Sequence, residues 1–221
     1  LLEVYRAYND FCLELNRASP ERIIMLPNVP TALPEACPSE IERVAQAGAR
    51  GFEFCPFDVA TPVWDEVWEP TWAVAEECGL VLCAHIGGSA DSAVPGFGRG
   101  AHHAFLSTAP FNVANMCAEM IFSAVFERHP NLIVLFGECR IGWVPFFIQW
   151  MDRQVVERKP DTAVPISLWP REYVARQIRF AFEEDYVGTQ LIGYDWSHLH
   201  ECAVWGSDYP HDQGTWPDVS P

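Results

Sequence analysis

Short, almost wholly apolar runs recur along this chain, separated by longer stretches with helical spacing, and no other feature constrains the fold as strongly. Val81–His85 and Leu132–Phe136 contain hardly a polar side chain before their ends. A strand with one wet face alternates polar and apolar residues, so runs like these suit strands covered on both faces, as in a parallel sheet. Arg22–Leu26, Gly51–Cys55, Ile178–Phe182 and Cys202–Gly206 are further strand candidates. Between them, Ser39 and Glu42 form a capping box ahead of Ile41, Val44 and Ala45. Trp64–Cys78 reads as a helix ended by Gly79. Val113, Met116, Cys117, Met120, Ile121, Ala124 and Val125 keep helical spacing up to His129 and Pro130, and Trp143–Val156 gives another helix. Repeated strand–helix units define an α/β fold with a parallel sheet. Six strands fit either a doubly wound sheet or a portion of a (β/α)8 barrel. No Gly-rich phosphate loop follows any strand, which lowers the nucleotide-binding version of the doubly wound sheet. The stretch from Gly87 to Pro110 reads as a long loop over the sheet edge, where parallel α/β proteins place substrate contacts.

The 221 residues suffice for one sizeable core. A net charge of -16 excludes a nucleic-acid partner, which needs a surplus of Lys and Arg, and argues equally against an anionic membrane surface. A small anionic substrate stays open, because one local arginine outweighs a distant field. Eight cysteines occur without any Cys-x-x-Cys pair, and most sit in strand or helix patterns, as reduced buried thiols of a cytoplasmic protein do. No apolar run approaches the roughly 18 residues of a membrane span, and no signal peptide is visible.

Chemistry concentrates where apolar strands end. His85 closes one such run and Asp208 follows Trp205, Gly206 and Ser207. Strand ends of this kind form the catalytic rim of a barrel, and an imidazole with a carboxylate suits Zn²⁺ or a similar ion. The same residues also fit a hydrogen-bonded structural histidine and a turn residue before Pro210. Glu138 leaves the Leu132–Phe136 run and is expected to serve as general base or ligand, or to pair with Arg140. His211, three residues beyond Asp208, fits a proton shuttle as well as a rim histidine facing water. His102 and His103 lie in the long loop as substrate contacts or solvated side chains. Phe97, Trp143 and Trp216 fit a pocket wall or the core. His129 reads as structural, and His198 and His200 lie at the far end from the rim.

Four segments carry a family resemblance. They are 70–85 (Pro-Thr-Trp-Ala-Val-Ala-Glu-Glu-Cys-Gly-Leu-Val-Leu-Cys-Ala-His), 129–132 (His-Pro-Asn-Leu), 142–145 (Gly-Trp-Val-Pro) and 205–211 (Trp-Gly-Ser-Asp-Tyr-Pro-His). In order and spacing the chain resembles the amidohydrolase-related family that includes aminocarboxymuconate semialdehyde decarboxylase. The resemblance implies a (β/α)8 TIM barrel with a divalent metal, zinc first and manganese second, at its carboxyl rim. It places His85 at the fifth-strand metal ligand and Asp208 at the eighth-strand ligand. Two features depart from the family pattern. No His-x-His precedes these residues, and Gly137, Glu138 and Cys139 stand where decarboxylases carry a histidine.

The expectation is one partial barrel domain over residues 1–221, with strands three to eight present and the first strands and last helix missing. Its function would be hydrolysis of a small cyclic or unsaturated organic acid by metal-activated water, with Asp208 or Glu138 taking the proton. The first alternative is non-oxidative decarboxylation, with Arg140 or Arg99 orienting a carboxylate. The second is a catalytically incompetent barrel fragment or structural partner. Unpaired sheet edges invite a second chain, so a homo-oligomer, a dimer, is expected.

Overall fold

The computed structural model describes residues 1–55, 61–85, 101–157, 164–211 and 214. Its centre is a sheet of five parallel strands: β1 (Gly51–Glu53), β2 (Val81–His85), β3 (Val134–Gly137), β4 (Ile178–Phe182) and β5 (Ala203–Trp205). Helix α1 (Leu2–Ala18) and α2 (Cys37–Gln46) precede β1, and α3 (Glu69–Glu77) joins β1 to β2. The next connection holds α4 (Ala101–Phe122) and the short α5 (Val125–Arg128). Helices α6 (Val144–Val156) and α7 (Pro170–Gln177) lead to β4, and α8 (Tyr186–Leu191) and α9 (Leu199–Cys202) lead to β5.

The strand order β1-β2-β3-β4-β5 separates the two architectures that the pattern allowed. A doubly wound sheet reverses direction at a switch point. Here every strand is laid beside its predecessor, and right-handed crossovers then carry all the connecting helices to one side. That is the arc of a (β/α)8 barrel.

Burial follows the same logic. Leu82, Ala84, Val134, Phe136, Ile178 and Phe180 are fully buried on the face that meets the helices. Phe136 and Phe180 stack there at 5.6 Å, and Ile41, Trp72, Met120, Ile148 and Val174 close over them. Residues one step out of phase, Cys83, Leu135, Arg179 and Ala181, are half-buried on the opposite face, which corresponds to a barrel lumen.

Arg22–Leu26 is not a strand, and Asn28 makes only an isolated parallel bridge to Glu53. The cause lies in α1. The Asn16 amide accepts from the Met25 N–H and donates to the Met25 carbonyl, at 2.6 and 3.0 Å. Asn9 does the same to Asn28 at 2.7 and 2.9 Å. Side-chain amides thus take backbone groups that a sheet ladder would have used. The expected capping box is absent as well. Helix α2 begins at Cys37 with Pro38 in its first turn, and the Ser39 hydroxyl donates to the Ala36 carbonyl. The expected helix from Trp64 starts instead as a 3-10 turn at Glu66–Trp68, capped by Asp65. Residues 101–110 are helical rather than loop, so His102 and His103 ride in the first turn of α4. All eight cysteines are free. Among the described residues no helix is long and apolar enough to cross a membrane.

Candidate active site at the carboxyl rim

Parallel strands in consecutive register deliver their carboxyl ends to one edge. His85 is the last residue of β2 and lies opposite Gly137, so Glu138 emerges beside it. Glu183 follows β4 directly, and Asp208 lies three residues beyond β5. Three of the residues gathered here hold left-handed backbone conformations: Glu138 at φ 54°, Arg140 at φ 60° and Asp208 at φ 52°. A side chain at such φ costs about 1–2 kcal/mol, which persists where the surrounding structure over-determines it, as at functional rims.

The side chains form one charged group. His85 Nε2 lies 2.7 Å from Glu138 Oε2. The pairing raises the His85 pKa despite its partial burial, and Glu53 and Asp208 add to the effect. The same contact lowers the Glu138 pKa below the ordinary carboxylate range. His211 Nδ1 is 3.1 Å from Asp208 Oδ2, yet that buried oxygen receives no aligned hydrogen bond from the described residues. Ligand atoms of Glu138, Asp208 and His211 all lie within 4.8 Å of one another. Two carboxylate oxygens and an imidazole nitrogen are a donor set for Zn²⁺ or Mn²⁺. The Asp208 oxygen that lacks an aligned hydrogen bond is an atom that such an ion would satisfy.

Arg140 supplies the local cation. Its guanidinium donates to the Glu184 carbonyl and stands 3.7 Å from Glu183 Oε2. The segment carrying Glu138 and Arg140 is anchored by Asp185, whose Oδ2 accepts the Ile141 and Gly142 N–H groups at 2.6 and 2.7 Å. Asp185 Oδ1 accepts the Gly188 N–H at 2.8 Å.

The structure therefore gathers His85, Glu138, Arg140, Asp208 and His211. Glu138 pairs with His85 rather than with Arg140. Trp143 lies with the core: its indole donates to the Cys139 carbonyl at 2.7 Å, and its ring meets Phe147 and Phe180. His103 is exposed on α4. The His102 side chain, Phe97, Arg99 and Trp216 lie outside the described residues. His129 is buried between Glu69 and Glu76, ahead of the amino end of β3 and so at the opposite end of that strand from the rim, in a structural role. Two rim residues escaped the sequence reading, Glu183 and Asp185. Their signal was the one used for Glu138: acidic residues directly after an apolar strand, here Ile178–Phe182.

A singly wound parallel sheet with a polar cluster at its carboxyl edge has the architecture of a (β/α)8 barrel, in which active sites sit at that edge. The amidohydrolase family model matches residues 2–220, and the chain belongs to that family. No curated protein matches the sequence. Among solved structures, 5-carboxyvanillate decarboxylase LigW from Sphingomonas paucimobilis is 22% identical with a TM-score of 0.75, over 94% of this chain and 62% of that one. An amidohydrolase from Mycobacterium avium subsp. paratuberculosis K-10 is 23% identical with a TM-score of 0.73, over 92% and 54%. A dihydroxybenzoic acid decarboxylase from Polaromonas sp. JS666, with bound manganese and the inhibitor 2-nitroresorcinol, is 16% identical with a TM-score of 0.71, over 94% and 65%. The chain thus spans less than two thirds of the length of each of these three structures.

Proposed function

We propose that the protein is a metal-dependent carboxy-lyase that removes CO₂ from a small aromatic acid. The observation that carries this is the convergence of Glu138, Asp208 and His211 within 4.8 Å of one another, with the Arg140 guanidinium close enough to act on Glu138. Glu138, Asp208 and His211 would hold a divalent cation, zinc or manganese, with His85 bordering the same space through its 2.7 Å contact to Glu138. When bound, that ion supplies a positive charge that draws in substrate oxygens and lowers the pKa of a coordinated water. Arg140 orients the substrate carboxylate, since a planar guanidinium matches a carboxylate fork. Asp185 keeps Arg140 and Glu138 in place by tying down Ile141 and Gly142. The substrate class follows the two decarboxylases of aromatic acids among the structural neighbours.

Hydrolysis is the second reading, and one observation favours it. Asp208 Oδ2 receives no aligned hydrogen bond from the described residues, although His211 Nδ1 lies 3.1 Å away, and in this reading it takes a proton from an attacking water. Product analysis separates the two. The full protein, loaded with Mn²⁺ or Zn²⁺, is given 5-carboxyvanillate and 2,6-dihydroxybenzoate. CO₂ release abolished by Asp208→Asn supports the lyase. Absence of CO₂ together with turnover of cyclic amides or lactones replaces it with the hydrolase.

A further inference from the structure

One buried acid at the rim has no part in the scheme above. Glu183 is 6% exposed, and its side chain 4%. Alternation along β4 sets Arg179, Ala181 and then Glu183 on the lumen side, while Phe180 and Phe182 are buried on the helix side. The carboxyl group therefore looks toward the same space as His85 and Glu138. Its Oε2 receives no hydrogen bond from the described residues, and the Arg140 guanidinium stops 3.7 Å away. The groups around it are the Glu138 and Asp208 carboxylates, Arg140 and the buried Cys139 thiol.

An ionised carboxylate with a bare buried oxygen is costly, whereas a carboxylic acid carries its own proton on that oxygen. Burial raises the Glu183 pKa most. Arg140 opposes, Glu138 and Asp208 add to the rise, and the result is about 7. Burial, the largest cause, favours the protonated form that a general acid needs.

We propose that Glu183 is the acid of this site, handing its proton to the substrate carbon that loses its carboxylate. The inference rests on the carboxy-lyase reading. The Glu183 O–H bond breaks and a C–H bond forms from the ring π electrons. The bond to the carboxylate then breaks, its electron pair restores the aromatic ring, and CO₂ leaves. Water returns a proton to Glu183, so an aromatic carboxylate and one proton yield the arene and CO₂.

Two measurements test this. The first needs no metal and no substrate: the protein is labelled with ¹³C at the glutamate carboxyl carbons and titrated by NMR. One resonance is expected to titrate near neutrality and to vanish in Glu183→Gln. If every glutamate has titrated below pH 5.5, the inference is overturned. The second measures CO₂ release from 2,6-dihydroxybenzoate and 5-carboxyvanillate by the Mn²⁺-loaded full protein. Loss of a general acid is expected to lower kcat of Glu183→Gln about 100-fold or more with little change in KM. Glu183→Asp is expected to restore part of the rate and the acidic limb of the pH profile. Electron paramagnetic resonance of bound Mn²⁺ should be the same in both variants and the parent. An active parent with an equally active Glu183→Gln overturns the inference alone. A parent that releases no CO₂ overturns the carboxy-lyase reading and this inference with it.

Discussion

The rim depends on one aspartate that touches no part of the proposed metal cluster. Asp185 gathers three backbone N–H groups, from Ile141, Gly142 and Gly188, at 2.6, 2.7 and 2.8 Å. In Asp185→Ala those amides lose their acceptor, and all three bonds are partly buried, so water replaces them incompletely. At about 1 kcal/mol of net stability per hydrogen bond, the loss comes to about 3 kcal/mol. Urea slopes run to about 3 kcal/mol per molar, so the unfolding midpoint should fall by about 1 M. Asp185→Asn keeps one carbonyl oxygen and should lose less. Tyr186→Ala, at a side chain 80% exposed, should leave the midpoint unchanged. Affinity for Mn²⁺ should fall in Asp185→Ala as well, because Ile141 and Gly142 are the tether of Glu138 and Arg140. A midpoint shift below about 0.3 M would refute the assignment of that clamp, since it would equal less than one net hydrogen bond.

Other elements yield sharper single readings. Glu40 is almost fully buried, with Asn9 donating to it at 2.7 Å and Arg43 at 2.7 and 2.9 Å. Burial alone would raise its pKa, but these bonds and the charges of Arg43 and Arg6 outweigh it, so the pKa is lowered. A lowered folded pKa gives stability that is present above the ordinary glutamate range and lost as pH falls through the folded value. Glu40→Gln should therefore lower Tm at pH 7, and the gap to the parent should close on acidification in a pH-resolved melting series. Trp72, 1% exposed and 5.1 Å from Phe54, should cost about 3–5 kcal/mol when cut to alanine, read by urea unfolding. Asn16→Ala should abolish hydrogen-exchange protection at the Met25 amide while leaving β2 and β3 protected, because Asn16 is the acceptor for that N–H.

Where apolar composition decides burial, five of the six expected strands are present within two residues of the expected bounds, β3 shifting from Leu132–Phe136 to Val134–Gly137. Ile178–Phe182 forms β4 over the expected range, and Val81–His85 forms β2. The reading of Arg22–Leu26 failed because Asn16 on α1 claims both the N–H and the carbonyl of Met25, while Asn9 on the same helix claims those of Asn28 just beyond. Nothing local in Arg22–Leu26 announces a partner on another element. The capping box failed for a related reason: Pro34 and Pro38 start the helical turns earlier than Ser39 allows. The site was legible at His85, Glu138 and Asp208 because each breaks an apolar run at its carboxyl end. The pairing among them was not, because Arg140 lies two residues from Glu138 along the chain while its actual partner, His85, lies across the sheet.

Residues 183–185 show how far such reasoning can be pushed. Three acidic residues in succession after a strand look like one solvated turn. Strand alternation separates them: with Phe182 facing the helices, Glu183 faces the lumen and Glu184 turns away. The structure follows that phase. Glu183 is buried, Glu184 is exposed and offers only its carbonyl to Arg140, and Asp185 turns back to bind Ile141 and Gly142. The three carboxyls thus divide into an acid for the site, a solvated side chain whose backbone holds the guanidinium, and a clamp. Conservative exchange should separate them physically. Glu184→Gln keeps the carbonyl and should change neither stability nor metal affinity, measured by urea unfolding and Mn²⁺ titration. Asp185→Asn should lower both. A Glu184→Gln effect as large as that of Asp185→Asn would mean that the acidic run acts through bulk charge, and the assignment of separate roles would fall.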